Sequence, residues 1–418
     1  MSGGNLVGLV GRDRLRLARL GALLGVGVLA LAACAQAGAT TTARPMRGPS
    51  SSATPVTPSA TPTAATRAAS PSPTPSPSIG EGEGTLRVLT FQGYVEYGGT
   101  SSQVNWLTPF ERESGCVVKL DRVRTSEEMA VRFATGAYDA VSPAPDLAGL
   151  LVAQGKVAPL ETALVDDYRR IPRRLRELPG LREDGKVYGI PYLWGVNRVL
   201  YEEGRPEGPS ALYETSSAAI RNSPLSIADA ALALGGRRPG SKTEDPFQLT
   251  SAQLDAALRL LAEGEGPDRV YWDGSLDLVR ALSAGPVRIA QALPYHLDLF
   301  RRAGRPMKAL EGVPMTGWVD SWMLAAKPAS PNCGYRWLNW VSSASAQRPA
   351  AAWTGLAPAN PEACGGHARR MCEIYHVRDS RWLRDVVFAT RPTRDCGGRG
   401  GECTDYTEWA ERWKQLLK

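Results

Sequence analysis

Residues 85–141 read TLRVLTFQGYVEYGGTSSQVNWLTPFERESGCVVKLDRVRTSEEMAVRFATGAYDAV, and this stretch decides the fold class. Three short runs of β-branched and aliphatic residues alternate in it with two segments of helical periodicity, which stop at Gly115 and Gly136. Strands that alternate with helices tend to pair in parallel, with the helices on the faces of the sheet. The alternation continues to the C-terminus without a fixed-period repeat. The sequence therefore predicts an α/β fold with central mixed sheets and flanking helices, arranged in two lobes.

The first 33 residues have the pattern of a secretory signal peptide. Basic residues between Arg12 and Arg19 precede an apolar run over residues 20–33 that ends in small side chains. This run is shorter than the roughly 20 residues that a spanning helix needs. Residues 31–34, Leu-Ala-Ala-Cys, resemble a lipobox, whose cysteine takes a diacylglycerol before cleavage. We therefore expect Cys34 to anchor the mature chain to the outer face of the cytoplasmic membrane. The alternative is an uncleaved anchor with an incidental cysteine, and it also places the remaining chain outside.

Residues 34–84 form a Ser/Thr/Pro/Ala-rich segment with almost no large apolar side chains. Nothing in this composition offsets the entropy of ordering the chain, and the prolines favour extended conformations. The sequence thus predicts a disordered stalk between the lipidated Cys34 and a folded part that begins near residue 85.

The charge pattern argues against a nucleic-acid partner. The formal net charge is +7, and residues 1–84 contribute +4 of it through seven arginines against three acidic residues. The arginines of the folded part are dispersed, and they form no long basic stripe with interleaved aromatic residues.

The remaining cysteines predict disulfides. They are Cys116, Cys333, Cys364, Cys372, Cys396 and Cys403. An even number in an exported chain is typical of a disulfide framework, and six cysteines allow 15 pairings. Cys364–Cys372 and Cys396–Cys403 would each close a glycine-rich loop, which leaves Cys116 to pair with Cys333. A zinc site is the alternative, with ligands Cys364, His367, Cys372 and His376. It is disfavoured because zinc–thiolate sites prefer reducing compartments and the usual CxxC pair is missing.

Five segments in a fixed order resemble a known family. They are FQGYV at 91–95, GAYDAVSP at 136–143, GKVYGIPYLWGVN at 185–197, WVDS at 318–321 and GLAPAN at 355–360. Together they resemble the extracytoplasmic solute-binding proteins of ABC importers, nearest the spermidine/putrescine-binding branch. The resemblance implies a type II periplasmic-binding-protein-like fold with the ligand in a cleft between the lobes. It places residues 85–198 and 320–360 in lobe 1, and residues 199–319 and 361–418 in lobe 2.

The resemblance also implies a set of ligand-binding residues. A polyamine needs carboxylates for its ammonium groups and aromatic faces for its methylenes. The expected set is Phe91, Tyr94, Asp146, Asp229, Tyr295, Trp318 and Asp320. Asp320 is notable because it lies within an otherwise apolar strand, where an unpaired carboxylate is costly. Asp229 could equally be a helix cap, since Asp favours that position.

The chain departs from the polyamine-binding branch at several of the expected positions. Ala144 and Asp146 stand where that branch has a serine and a tyrosine, and Leu232 replaces a second carboxylate after Asp229. Other expected polar or aromatic residues are replaced by leucines: Leu293, Leu356 and Leu383. The polar groups that remain are mainly carboxylates, so the expected solute is a small organic cation rather than spermidine in particular.

These observations predict a monomeric receptor that binds a small solute and serves an ABC permease, without a cofactor. An exported enzyme is one alternative, but the sequence has three histidines and lacks Gly-x-Ser-x-Gly and His-Glu-x-x-His motifs. A stalked surface or scaffold protein that kept the fold and lost its ligand is the other.

Overall fold

The computed structural model describes residues 77–99, 101–237, 245–396 and 402–418. The predicted signal peptide, Cys34 and most of the stalk lie outside these described residues. Within the described ranges, no helix is both long enough and apolar enough to cross a membrane.

The described chain alternates strands and helices along its length. The strands are β1 (Thr85–Phe91), β2 (Val117–Val123), β3 (Ala140–Val141), β4 (Arg182–Glu183), β5 (Lys186–Val187), β6 (Ile190–Val196), β7 (Arg198–Tyr201), β8 (Ala218–Arg221), β9 (Val270–Trp272), β10 (Ile289–Ala292), β11 (Lys308–Ala309), β12 (Met315–Leu324), β13 (Ala357–Pro358) and β14 (Val386–Phe388). The α-helices are α1 (Leu107–Ser114), α2 (Ser126–Phe133), α3 (Pro145–Ala153), α4 (Arg173–Arg176), α5 (Ser226–Arg237), α6 (Ser251–Glu263), α7 (Ser275–Ala284), α8 (Pro294–Arg302), α9 (Pro331–Ser342), α10 (Ala344–Thr354), α11 (Arg369–Ile374), α12 (Ser380–Arg384) and α13 (Tyr406–Leu416). Short 3-10 turns occur at Thr162–Leu164, Tyr168–Arg170, Pro179–Leu181, Pro209–Leu212, Pro361–Ala363 and Gly366–Ala368.

A seven-stranded mixed sheet contains both the first strand, β1, and the last strand, β14, of the described residues. Its order is β13-β6-β12-β3-β1-β2, with β14 paired to β12. β1 pairs in parallel with β2 and β3, as the opening alternation predicts, while β12 runs antiparallel to β3 and β6. The α/β fold class with mixed sheets and flanking helices is therefore confirmed.

Local sequence signals explain how the first helices begin and end. Gly115 ends α1 with a left-handed φ of 71°, a conformation that glycine adopts without steric cost. The Thr125 side chain caps α2 by accepting a hydrogen bond from the Glu128 N–H at 3.1 Å. The end of α1 at Gly115 and the start of α2 at Thr125 let the chain return to the sheet, where β2 and β3 pair with β1.

A second sheet of five strands has the order β11-β7-β10-β8-β9. The chain enters it directly from the first sheet, because only Asn197 separates β6 from β7. It returns to the first sheet through β12. β14 pairs with residues 315–317 of β12. The sequence bounds of the two lobes stay a prediction.

The six cysteines of the folded part form three disulfides. They are Cys116–Cys333, Cys364–Cys372 and Cys396–Cys403. This is the pairing expected from the short glycine-rich loops. The alternative zinc site is ruled out in this state of the protein, because the Cys364–Cys372 disulfide uses both of its thiols.

Candidate ligand-binding site

The long strand β12 brings two predicted site residues to one face. All ten of its residues are buried. Trp318 and Asp320 are two positions apart, so their side chains point to the same side of the sheet. Pairing with β6 becomes irregular between Asp320 and Ser321, directly after the carboxylate. The strand therefore places a carboxylate and an indole next to each other in a buried position.

The indole of Trp318 packs against a glycine of the neighbouring strand. Trp318 pairs with Gly195 of β6, and a Cβ atom on Gly195 would lie 2.4 Å from the indole ring. No side chain fits in that distance without moving the tryptophan. The position of Trp318 thus requires a glycine at position 195.

One carboxylate oxygen of Asp320 accepts hydrogen bonds, and the other has no partner among the described residues. The hydroxyl of Tyr94 donates to Asp320 Oδ2, and the indole Nε1 of Trp318 donates to the same oxygen at 3.2 Å. Asp320 is 2% exposed, and its Oδ1 has no hydrogen-bond partner among the described residues. Burial raises the pKa of Asp320 to about 7, although the bond from Tyr94 and the charge of Arg221 oppose the rise.

Tyr94 is itself fixed by the residues around it. Its carbonyl oxygen accepts hydrogen bonds from Tyr192 Oη at 2.8 Å and from Trp106 Nε1 at 3.3 Å. Its ring packs edge-on against Phe91, with 5.6 Å between centroids. Phe91 ends β1 and is half-buried. Four predicted residues, Phe91, Tyr94, Trp318 and Asp320, therefore form one continuous cluster.

Asp229, in the first turn of α5, joins a polar network where the two sheets meet. Its Oδ1 accepts from Thr316 Oγ1 at 2.7 Å, and its Oδ2 accepts from Asn197 Nδ2 at 3.1 Å and Gln291 Nε2 at 2.8 Å. Thr316 lies on β12, two residues before Trp318. Burial raises the pKa of Asp229 to about 7 in spite of these bonds. The network gives both carboxylate oxygens protein partners, so a contact from Asp229 to a solute remains a prediction.

The other two predicted residues contact different elements. Asp146, buried in the first turn of α3, accepts from Ser126 Oγ at 3.1 Å, and burial raises its pKa. Its negative charge also contributes to the raised pKa of Asp320. Tyr295, half-buried in the first turn of α8, packs its ring against Gly355 after α10. None of the hydrogen bonds and ring contacts given above for the described residues joins Asp146 or Tyr295 to the cluster of Phe91, Tyr94, Trp318 and Asp320.

Arg221 is the main feature of the site that the sequence analysis missed. It ends β8, and its guanidinium carbon lies 4.1 Å from the ring centroid of Trp318 and 5.9 Å from that of Trp272. Burial lowers the pKa of Arg221, while the charge of Asp320 opposes the shift. One signal could have found it: β8 is a parallel strand, and ligands of α/β sheets bind beyond the carboxyl ends of such strands.

No family model matches the sequence. Solved structures with the same fold are found, however. A putative spermidine/putrescine ABC transporter protein from Listeria monocytogenes is 15% identical with a TM-score of 0.60, over 80% of this chain and 99% of that one. The TpPotD lipoprotein of Treponema pallidum is 13% identical with a TM-score of 0.58, over 79% and 99% of the two chains. A GABA receptor is 16% identical with a TM-score of 0.58, over 80% and 98%.

The fold is that of ABC-transporter substrate-binding proteins. The likeness covers nearly the whole of each solved neighbour, so the substrate-binding-protein fold predicted from the five sequence segments is confirmed. At this level of identity the likeness establishes the fold alone.

Proposed function

We propose that this protein is an extracytoplasmic receptor that binds a small solute with a positively charged group and delivers it to an ABC permease. The observation that carries the proposal is the buried carboxylate of Asp320, with one oxygen held by Tyr94 and Trp318 and the other without a partner among the described residues. An unpaired buried acceptor is costly, and a site that keeps one is suited to a donor from a ligand.

The neighbouring aromatic rings suit the same kind of solute. An ammonium group that donates to Asp320 Oδ1 would form a charge-assisted hydrogen bond worth roughly 1.5–3 kcal/mol. The half-buried ring of Phe91, which packs against Tyr94, offers an aromatic surface that attracts a cation or packs against methylene groups. The Listeria monocytogenes neighbour, which is named for spermidine/putrescine transport, supports a solute of this chemistry.

The lipid anchor is part of the proposal and rests on the sequence. Cys34 follows an apolar run and two small residues, at the place where a signal peptide is cut. A Cys34→Ala chain should lose its acyl groups and be either released or left unprocessed. Normal acylation of that variant, measured by metabolic labelling with palmitate, would remove the anchor from the proposal without affecting solute binding.

The direct test is to identify what the protein carries. We expect the purified domain to release a small organic solute when it is unfolded, and mass spectrometry to detect it. The same solute should raise the melting temperature of the protein without being consumed. Asp320→Asn should weaken its binding about tenfold or more, since 1.4 kcal/mol corresponds to one decade. Turnover of the solute would favour an enzyme. No released solute and no stabilisation by amines or amino acids would favour a surface protein that has lost its ligand.

A further inference from the structure

Arg221 holds a positive charge in the site without an anionic partner. Among the described residues, its guanidinium makes no hydrogen bond and no ion pair, and it lies over the rings of Trp318 and Trp272. The side chain is half-buried. A guanidinium stays charged in proteins, and a partly buried charge is costly unless it is paired.

The position of Arg221 leaves its donors available. Its backbone is fixed, because the Arg221 N–H donates to Gln291 Oε1 at 2.9 Å and its carbonyl oxygen accepts from Ser226 Oγ at 2.9 Å. A guanidinium that lies over an indole ring uses its face in that contact and keeps the N–H donors at its edge. Those donors have the fork geometry that matches a carboxylate.

The opposite charges of Arg221 and Asp320 both lie against Trp318, and the two side chains form no ion pair with each other. Asp320 Oδ1 accepts a hydrogen bond from no described residue, and Trp318, whose indole donates to Oδ2, is the ring on which Arg221 rests. The charge of Asp320 is the largest electrostatic influence on Arg221. Among the described residues, one buried acceptor and one set of donors beside the same tryptophan therefore have no hydrogen-bond partner.

We propose that the solute carries a carboxylate as well as an ammonium group, with the carboxylate bound to the edge of Arg221 and the ammonium bound to Asp320 Oδ1. This inference rests on the proposed receptor function and narrows its solute to an amino-acid-like zwitterion. Such a solute pairs both unpaired charges of the site. A diamine would place its second ammonium group near Arg221, and like charges in a buried site repel.

The test compares solutes that differ only in their end groups. The probes are ω-amino acids, α,ω-diamines and α,ω-dicarboxylates matched in chain length, together with the common α-amino acids, each measured by calorimetry. We expect at least one amino acid to bind about tenfold or more tightly than the diamine and the dicarboxylate of the same length. Tighter binding of a diamine would overturn the inference and leave the receptor function standing.

Variants of Arg221 separate a ligand contact from a structural role. Arg221→Gln removes the charge and should abolish the preference for the amino acid over the diamine, a change of about tenfold or more. Arg221→Lys keeps the charge without the fork and should retain part of the preference. The control is Arg259→Gln, which removes an exposed arginine of α6 in the same sheet's flanking helices and should leave the preference unchanged.

The outcomes distinguish this inference from the function on which it rests. An unchanged preference in Arg221→Gln, or a solute recovered from the protein that has no anionic group, would contradict the zwitterion while the receptor function stands. Gain of diamine binding in Arg221→Gln without any amino-acid binding in wild type would show that Arg221 merely fills the cation position. Binding of no probe, together with no recovered solute, would overturn both.

Discussion

Two carboxylates of this protein, the buried Asp320 and the half-buried Asp229, have similarly raised pKa values but differ in their hydrogen bonds. Burial raises the pKa of both Asp320 and Asp229 to about 7. Asp320 Oδ2 accepts both of its hydrogen bonds and Oδ1 accepts none, whereas Asp229 accepts three bonds shared over both oxygens. Replacement by asparagine should therefore have different effects on stability at the two positions.

Asp320→Asn should stabilise the ligand-free protein above neutral pH. A carboxyl group whose pKa is raised on folding binds more protons in the folded state, so its contribution to stability is fully present below about pH 4 and is lost as the pH rises through about 7. A neutral amide avoids this loss, and its oxygen can take the place of Oδ2 and accept from both Tyr94 and Trp318. We expect a gain in the free energy of unfolding on the order of 2 kcal/mol at pH 8, measured by urea denaturation, that shrinks toward pH 4.

Asp229→Asn is the matched control for that measurement. An asparagine has one acceptor oxygen, so its amide nitrogen would face a hydrogen-bond donor from Thr316, Asn197 or Gln291. This variant should gain no stability at pH 8. Equal stabilisation by both substitutions would mean that the hydrogen-bond partners of the two carboxylates do not decide the free-energy cost of burying them.

At the scale of elements, strand β12 shows what could be predicted from sequence. Its apolar run predicts a buried strand, and strand periodicity places Trp318 and Asp320 on one face. An acidic residue inside such a strand is conspicuous from the sequence alone, and the structure places it beside Tyr94, which was also predicted. The two local disulfides, Cys364–Cys372 and Cys396–Cys403, were also predictable, because a short glycine-rich loop brings its two ends together.

The contacts that the sequence could not predict depend on how distant elements are arranged. Arg221 meets Trp318 because the carboxyl end of β8 in one sheet lies beside β12 of the other, and no sequence pattern states that proximity. The partners of Asp229 come from β12, β10 and the link between β6 and β7. A sequence shows which residues are chemically suited to a site, whereas these contacts follow from the order of strands in the two sheets.

At the scale of the whole molecule, one disulfide closes the chain around the second sheet. Cys116 lies just before β2 and Cys333 lies in the first turn of α9, at a sequence separation of 217. The loop that they close contains every strand of the five-stranded sheet. Glu83 strengthens the same junction, because its carboxylate accepts from the N–H groups of Asn332 and Cys333, each at 2.9 Å.

The stability of the folded part should depend more on this disulfide than on the short ones. In the chain-entropy account, closing so long a loop removes unfolded-state entropy worth roughly 5 kcal/mol, against roughly 2.5 kcal/mol for the loop between Cys364 and Cys372. Replacing Cys116 and Cys333 together by serine should therefore lower the free energy of unfolding about twice as much as replacing Cys364 and Cys372. Urea denaturation of both double variants, under non-reducing conditions, measures the difference. Equal losses would show that local packing, rather than closure of the chain around the second sheet, sets what each disulfide contributes.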